Sequence, residues 1–306
     1  MVSSLKVACV IPVYNGKSDL LRLLDSLDQQ TVAFDVLVVD SSSSDGSQQV
    51  AFERADKVVV IDTSDFNHGG TRQKMVNQHA EYDIFVFLTQ DAYLEDAFAI
   101  ENIISYFESS AVGAVCGRQL PHHDATLLAA HARLFNYPDN TTHKSLNDAS
   151  ILGIKTPFMS NSFAAYRRDA LIEIDGFPND VILSEDMYAT AKMLMAGYNV
   201  VYAGNACCRH SHNYTMLEEF RRYFDIGVFH AAQPWIRDVF GGAGGEGFKY
   251  VKSEICFLGL KRFYLWPSSF IRNALKLLGY KLGQRSEKIP VSINKKLSMH
   301  SRYWIE

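Results

Sequence analysis

Continuous apolar runs alternate along this chain with segments whose apolar residues follow helical spacing. "LKVACVIPVYNG" reads as a first strand that ends over Pro12 to Gly16. "SDLLRLLDSLDQQ" follows, with Leu20, Leu21, Leu23, Leu24 and Leu27 at helical spacing and Ser18 or Asp19 placed to cap the start. "FDVLVVDSSSSDGS" gives a second strand and a Ser/Asp/Gly loop, and a helix over Gln48 to Ala55 leads to the strand "KVVVIDT". "FNHGG" reads as a loop and "TRQKMVNQHAE" as a helix. Phe85 to Leu88 then form an apolar run with no alternation, the mark of a strand covered on both faces. It stops at Gln90 and Asp91, where open α/β sheets bind ligands. This strand–helix alternation predicts a doubly wound α/β sheet with right-handed crossovers.

Beyond residue 93 the pattern loosens. A helix around Ala97 to Ser109 and a strand "AVGAVCGRQL" are expected, whereas residues 121–160 show little periodicity. "FMSNSFAAYRRDALIEIDGF" reads as a strand and a short helix stopped by Gly176. "SEDMYATAKMLMAG" is a helix with Gly197 as its stop, and "NVVYAG" a strand. "GGAGGEG", residues 241–247, predicts a hinge, so the chain divides into 1–240 and a helical appendage, 241–306. In the appendage Phe270, Ile271, Ala274, Leu275, Leu277, Leu278 and Leu282 fall on one broad face. Pro267 suits the helix start.

Composition adds limits. The 306 residues suffice for one large α/β domain plus an appendage, and a net charge of -4 gives no argument for nucleic acid as a partner. The charge is uneven. From Lys249 onward twelve Lys/Arg face three Asp/Glu, a basic tail on an acidic body that suits an anionic lipid surface. Five cysteines, two of them adjacent, form no disulfide framework. There is no apolar leader at the N-terminus, and no run reaches the roughly 18 apolar residues of a membrane span. A reducing cytosol with peripheral membrane contact is the expected setting.

Four clusters can carry chemistry. Asp91, at a strand end, suits a hard divalent cation held jointly by a carboxylate and substrate phosphates; the plain alternative is a solvated helix-capping Asp. Glu185 and Asp186 sit at a helix start, either as caps favoured by the macrodipole or as a general base. His210-x-His212 puts two imidazoles on one side of an extended segment, half a metal site. With Cys207 and Cys208 nearby, structural zinc is an alternative, but the spacing matches no zinc pattern. "FNHGGTRQ" offers glycine amides and Arg72 to an anion, against the reading of a simple turn. No G-x-G-x-x-G or Walker pattern is present, which disfavours a dinucleotide enzyme or a P-loop ATPase.

Together, "VIPVYN", "VVDSSSSDGS", "LTQDA" and the late "SED" resemble the large inverting family 2 of glycosyltransferases, which has the GT-A fold. "FNHGGTR", "SEDMYATAKMLMAGY", "HSHNYT" with "RRYFDIG", and "LSMHSRYW" are similar to bacterial rhamnosyltransferases of O-antigen and other surface polysaccharides. The resemblance implies a nucleotide-sugar half over about 1–93 and an acceptor half over about 94–240. It implies that Pro12, Tyr14, Asn15 and Asp40 line the base and ribose pocket, with Arg72 near the diphosphate or sugar and Gln90 among the donor-binding residues. Asp91 is then the remaining ligand of a D-x-D element in which Thr89 takes the place of the first acid, and it shares Mg²⁺ or Mn²⁺ with His212 and His210. Asp186 is the implied catalytic base, with Glu185 beside it. The implied donor is dTDP-β-L-rhamnose and the implied acceptor a sugar on a polyprenyl diphosphate, reached from the cytoplasmic face of the inner membrane. The basic C-terminal helix would lie in that interface. Its alternatives are packing of the same face on the catalytic domain or on a second subunit, a homodimer. Another sugar nucleotide, such as a UDP-hexose or UDP-GlcNAc, and a catalytically silent binder of sugar nucleotides are the competing functions.

Overall fold

The computed structural model describes residues 5–242 and 245–304. Among them the strands are β1 (Val7–Val13), β2 (Asp35–Asp40), β3 (Lys57–Val60), β4 (Ile84–Leu88), β5 (Tyr93–Leu94), β6 (Val112–Leu120), β7 (Thr142–Lys144), β8 (Phe163–Arg167) and β9 (Asn199–Arg209). The helices of the first half are α1 (Lys17–Leu27), α2 (Ser47–Arg54), α3 (His68–Gln78), α4 (Ala99–Ser105), α5 (Leu127–Asn136) and α6 (Ala149–Leu152). Then come α7 (Arg168–Glu173), α8 (Glu185–Met195), α9 (Met216–Ala232), α10 (Pro234–Phe240), α11 (Glu246–Leu258), α12 (Trp266–Gly283) and α13 (Val291–Leu297).

The strands form one mixed sheet in the order β3-β2-β1-β4-β8-β6-β9-β5, with β7 also on β9. β1 runs parallel to β2 and β4, while β8 runs antiparallel to β4 and β6. The chain steps outward from β1 to β3 and then returns to lay β4 on the other side of β1. The C-terminal ends of β1 and β4 therefore flank a topological switch point. Both faces of these strands are covered. Ala8, Val10, Phe85 and Phe87 enter one apolar layer, and Val7, Cys9, Ile11, Ile84, Val86 and Leu88 the other. Double coverage is why they read as unbroken apolar runs.

Several expectations need correction. α1 starts at Lys17 behind Gly16 and has no side-chain cap, so Ser18 and Asp19 lie within its first turn. α3 starts at His68, ahead of the two glycines. Asn67 Oδ1 accepts the N–H groups of Gly69 (3.1 Å) and Gly70 (2.8 Å), so these amides are not offered to an anion. The segment 121–160 contains α5, capped by Thr126, and the edge strand β7. β9 runs on through Cys207 and Cys208 to Arg209, and all five cysteines are free.

Of the expected hinge over 241–247, residues 243 and 244 lie outside the described residues, and α11 already begins at Glu246. α12 packs along α9 through its small and polar side. A Cβ at Gly279 or Gly283 would collide with the carbonyl oxygens of Phe220 and Phe224. Ser269 and Asn273 of α12 donate to the buried carboxylate of Glu254 on α11. Phe270, Ile271, Leu277 and Leu278 point outward, each at least 50% exposed. The apolar face exists as expected, but most of it is turned outward, while Leu282 at its end packs against the core. Among the described residues no helix is long and apolar enough to cross a membrane.

Candidate active site

The sheet brings three chain segments to one crevice. β5 pairs Tyr93 with Arg209 at the end of β9. That pairing sets Asp91 against the residues that follow Arg209. The ligand atoms of Asp91, His210 and His212 all lie within 4.8 Å of one another. Asp91 Oδ2 is 3.4 Å from His210 Nε2 and 3.8 Å from His212 Nδ1.

Gln119, fully buried at the end of β6, fixes how His210 presents itself. Its Oε1 accepts Arg133 Nη1 (2.9 Å), and its Nε2 donates to Ser160 Oγ (2.8 Å). The same Oε1 lies 2.9 Å from His210 Nδ1, so that nitrogen must carry the proton. Nε2 then turns a lone pair toward Asp91 Oδ2. Two acceptors at that range need a proton or a cation between them. Burial lowers the pKa of His210 and takes His212 down to about 3, so both rings are neutral near pH 7. Burial pushes the Asp91 carboxyl up, but His210 and His212, once protonated in acid, outweigh it and hold the group well below the usual carboxylate range. One carboxylate and two neutral imidazoles with an outer-shell amide fit a divalent cation.

The opposite wall carries the acid pair. Ser184 precedes α8 with φ 63°, a left-handed conformation that costs a non-glycine residue about 1–3 kcal/mol and aims the next two side chains. Glu185 Oε1 accepts Arg72 Nη1 (3.0 Å) and Asn161 Nδ2 (2.9 Å). Asp186 Oδ2 accepts the backbone N–H of Asn161 (3.1 Å), and Oδ1 that of Met187 (2.7 Å). Burial works against ionisation of both acids. At Glu185 the Arg72 guanidinium wins, and the pKa falls. At Asp186 burial and the adjacent Glu185 charge win over the two N–H groups, and the pKa is pushed up to about 7. Adjacent acids driven apart in this way take different roles.

Asp91, His210, His212, Arg72, Glu185 and Asp186 all line one cavity of about 430 Å³. A neighbouring cavity of about 300 Å³ is lined by Pro12, Tyr14, Thr63, Arg72, Gln90 and Arg302. Gln90 clamps the Tyr14 backbone, accepting its N–H at 2.8 Å. Asn15 and Asp40 are not on these walls. Asn15 Oδ1 accepts Ser44 N–H, and the fully buried Asp40 accepts Ser43 N–H, so both shape the loop after β2. Arg72 serves Glu185 while still bordering both cavities.

Sequence reasoning missed Gln119, Asn161 and the C-terminal segment. Arg302 Nη1 donates to the Thr63 carbonyl at 3.0 Å, across 239 positions of chain. Buried Asp225, on α9, holds that segment by accepting Met299 N–H at 2.9 Å, and the His300 ring stands edge-on to His68 at 5.1 Å. "RRYFDIG" and "LSMHSRYW" contained the signal, a lone acid within an apolar helix face and a polar-aromatic terminus, without saying that they meet.

Residues 8–175 match the family described as glycosyl transferase family 2, and the chain belongs to it. Within that class it is 51% identical over 303 residues to the O-antigen chain rhamnosyltransferase RfbN of Salmonella typhimurium, covering 98% of this chain and 96% of the relative. It is 50% identical over 298 residues to the O-antigen chain rhamnosyltransferase WbaN of Salmonella anatum, covering 96% and 94%. The fold is the expected GT-A fold. Mannosyltransferase PcManGT from Pyrobaculum calidifontis, in complex with GDP-Man and Mn²⁺, matches with TM-score 0.59 at 20% identity over 99% of this chain and 86% of that one. TarS 1-349 of S. aureus, in complex with UDP-GlcNAc, matches with TM-score 0.53 at 16% identity over 92% and 91%.

Proposed function

We propose that this chain is an inverting rhamnosyltransferase of O-antigen synthesis, moving L-rhamnose from dTDP-β-L-rhamnose to a sugar on a polyprenyl diphosphate. The carrying observation is that Asp186 and the Asp91–His210–His212 cluster share one cavity, in a chain about half identical to two O-antigen rhamnosyltransferases. Pro12, Tyr14, Gln90 and Arg302 form the walls for the nucleotide, with Asn15 and Asp40 holding the neighbouring loop. Asp91, His210 and His212 would hold Mg²⁺ or Mn²⁺. When bound there, the cation supplies positive charge to the departing diphosphate. Asp186 takes the proton of the acceptor hydroxyl, whose oxygen attacks C1 from the side opposite the diphosphate and inverts the centre. Glu185, neutralised by Arg72, keeps Asn161 and thereby Asp186 in place.

The cytoplasmic face of the inner membrane is the proposed site of action. The outward apolar face of α12, among a surplus of Lys and Arg, would lie in the lipid interface. A second copy of the chain on that face is the competing occupant.

Donor hydrolysis and transfer across a panel of sugar nucleotides test the reading. dTDP-rhamnose should turn over and UDP-hexoses should not; preference for a UDP-sugar, or binding without turnover, would replace it. Asp186→Asn should lower kcat roughly 10²–10⁴-fold with dTDP affinity kept. Full turnover by that variant would remove Asp186 from the mechanism. His210→Ala should weaken Mn²⁺ binding, followed by electron paramagnetic resonance with no donor present, by about tenfold or more.

A further inference from the structure

A second cavity, of about 310 Å³, opens beside the catalytic one between α5, α9 and α12. The two share Arg133, Tyr137, Phe158, His212, Arg222 and Ile226 in their walls, so they adjoin directly. Neither Asp91 nor Asp186 lines the second part; it lies past the chemistry. Its charge is lopsided. Arg133, Arg222, Arg272 and Lys276 face a single acid, Glu219. That acid is already occupied by Arg272 at 3.0 Å and Lys276 at 3.4 Å. Arg133 is engaged with Gln119. Among the described residues no hydrogen bond or ion pair engages Arg222, which stands at the junction of the two spaces with its charge felt by Asp225 one turn on along α9. A concave site with a surplus of cationic side chains and tyrosine faces suits a phosphorylated sugar. The outer wall is α12, whose far side presents Phe270, Ile271, Leu277 and Leu278.

We propose that this second cavity is the subsite for the diphosphate of a prenyl-diphosphate-linked acceptor, with Arg222 as its principal anion contact. The inference rests on the proposed acceptor class. It adds a place and a direction: the sugar points through the shared wall toward Asp186, and the prenyl chain leaves past α12 toward the lipid. Several cations at one end match the multiple charges of a diphosphate, whereas a neutral sugar alone would leave Arg222 unanswered.

Calorimetry on the full chain tests it, with farnesyl diphosphate, farnesol and dTDP as probes. Farnesyl diphosphate should bind protein already saturated with dTDP, and farnesol should bind at least tenfold more weakly. Arg222→Gln should weaken farnesyl diphosphate about tenfold or more. Lys276→Gln, remote from the catalytic cavity, should weaken it severalfold and leave dTDP affinity unchanged. The inference is overturned if dTDP displaces farnesyl diphosphate, if farnesol binds equally well, or if Arg222→Gln weakens dTDP alone. It is also overturned if neither substitution affects the prenyl probe in protein with a native melting temperature. Absence of dTDP binding in the unaltered chain would instead strike the donor reading, so the two failures separate.

Discussion

α1 and α12 have the same kind of sequence and use it in opposite ways. Both place leucines at helical spacing. In α1 Leu20, Leu23, Leu24 and Leu27 are buried against the layer that also holds Cys9, Ile11 and Val86. In α12 the buried positions are Ser269, Gly279 and Gly283, while Phe270, Ile271, Leu277 and Leu278 face outward. The partner decides. α1 meets a sheet face that is already apolar. α12 meets the backbone of α9, where glycines permit the closest approach, and its polar residues reach Glu254 on α11. Periodicity therefore predicts that a helix has an apolar face, and not that the face is turned inward. An apolar face left outside in this way marks an interaction surface.

Three substitutions probe the contrast. Leu23→Ala in α1 should cost about 2–5 kcal/mol in urea unfolding; a loss below about 1 kcal/mol would mean that α1 is not core. Gly283→Val should cost roughly 1–3 kcal/mol by forcing α12 off α9. No measurable cost would show that the two helices are not in backbone contact. Leu277→Ser with Leu278→Ser should change stability by no more than about 0.5 kcal/mol. The same pair should reduce flotation with anionic vesicles roughly tenfold. Unchanged flotation together with dissociation of a dimer would assign the face to a second subunit.

The contrast also explains what was legible in the sequence. β1, β2 and β4 could be read because coverage on both faces leaves no polar residue to interrupt the run. Asp91 stood out at a strand end and His210 and His212 by their alternate spacing, and the fold brings the three within 4.8 Å of one another. Other features were hidden for physical reasons. α5 carries an apolar face, but it is short and set in an otherwise aperiodic stretch, and of its residues only His131 is fully covered. The start of α3 was misplaced because glycines argue for a loop until Asn67 is seen capping them. Asn161 and Gln119 act through single hydrogen bonds made across the sheet, and no local pattern announces such partners. Arg302 reaches the cavity beside Tyr14 and Gln90 on a returning chain that Asp225 holds.

The central claim is that burial and the charge of Glu185 leave Asp186 with a proton to lose near neutrality. The direct test is kcat/KM for rhamnosyl transfer across roughly pH 5 to 9. A raised carboxylate must ionise before it can act as a base, so the rate should climb through about 7 and level above it. A profile already level at the acid end, or flat across that range, would contradict the account.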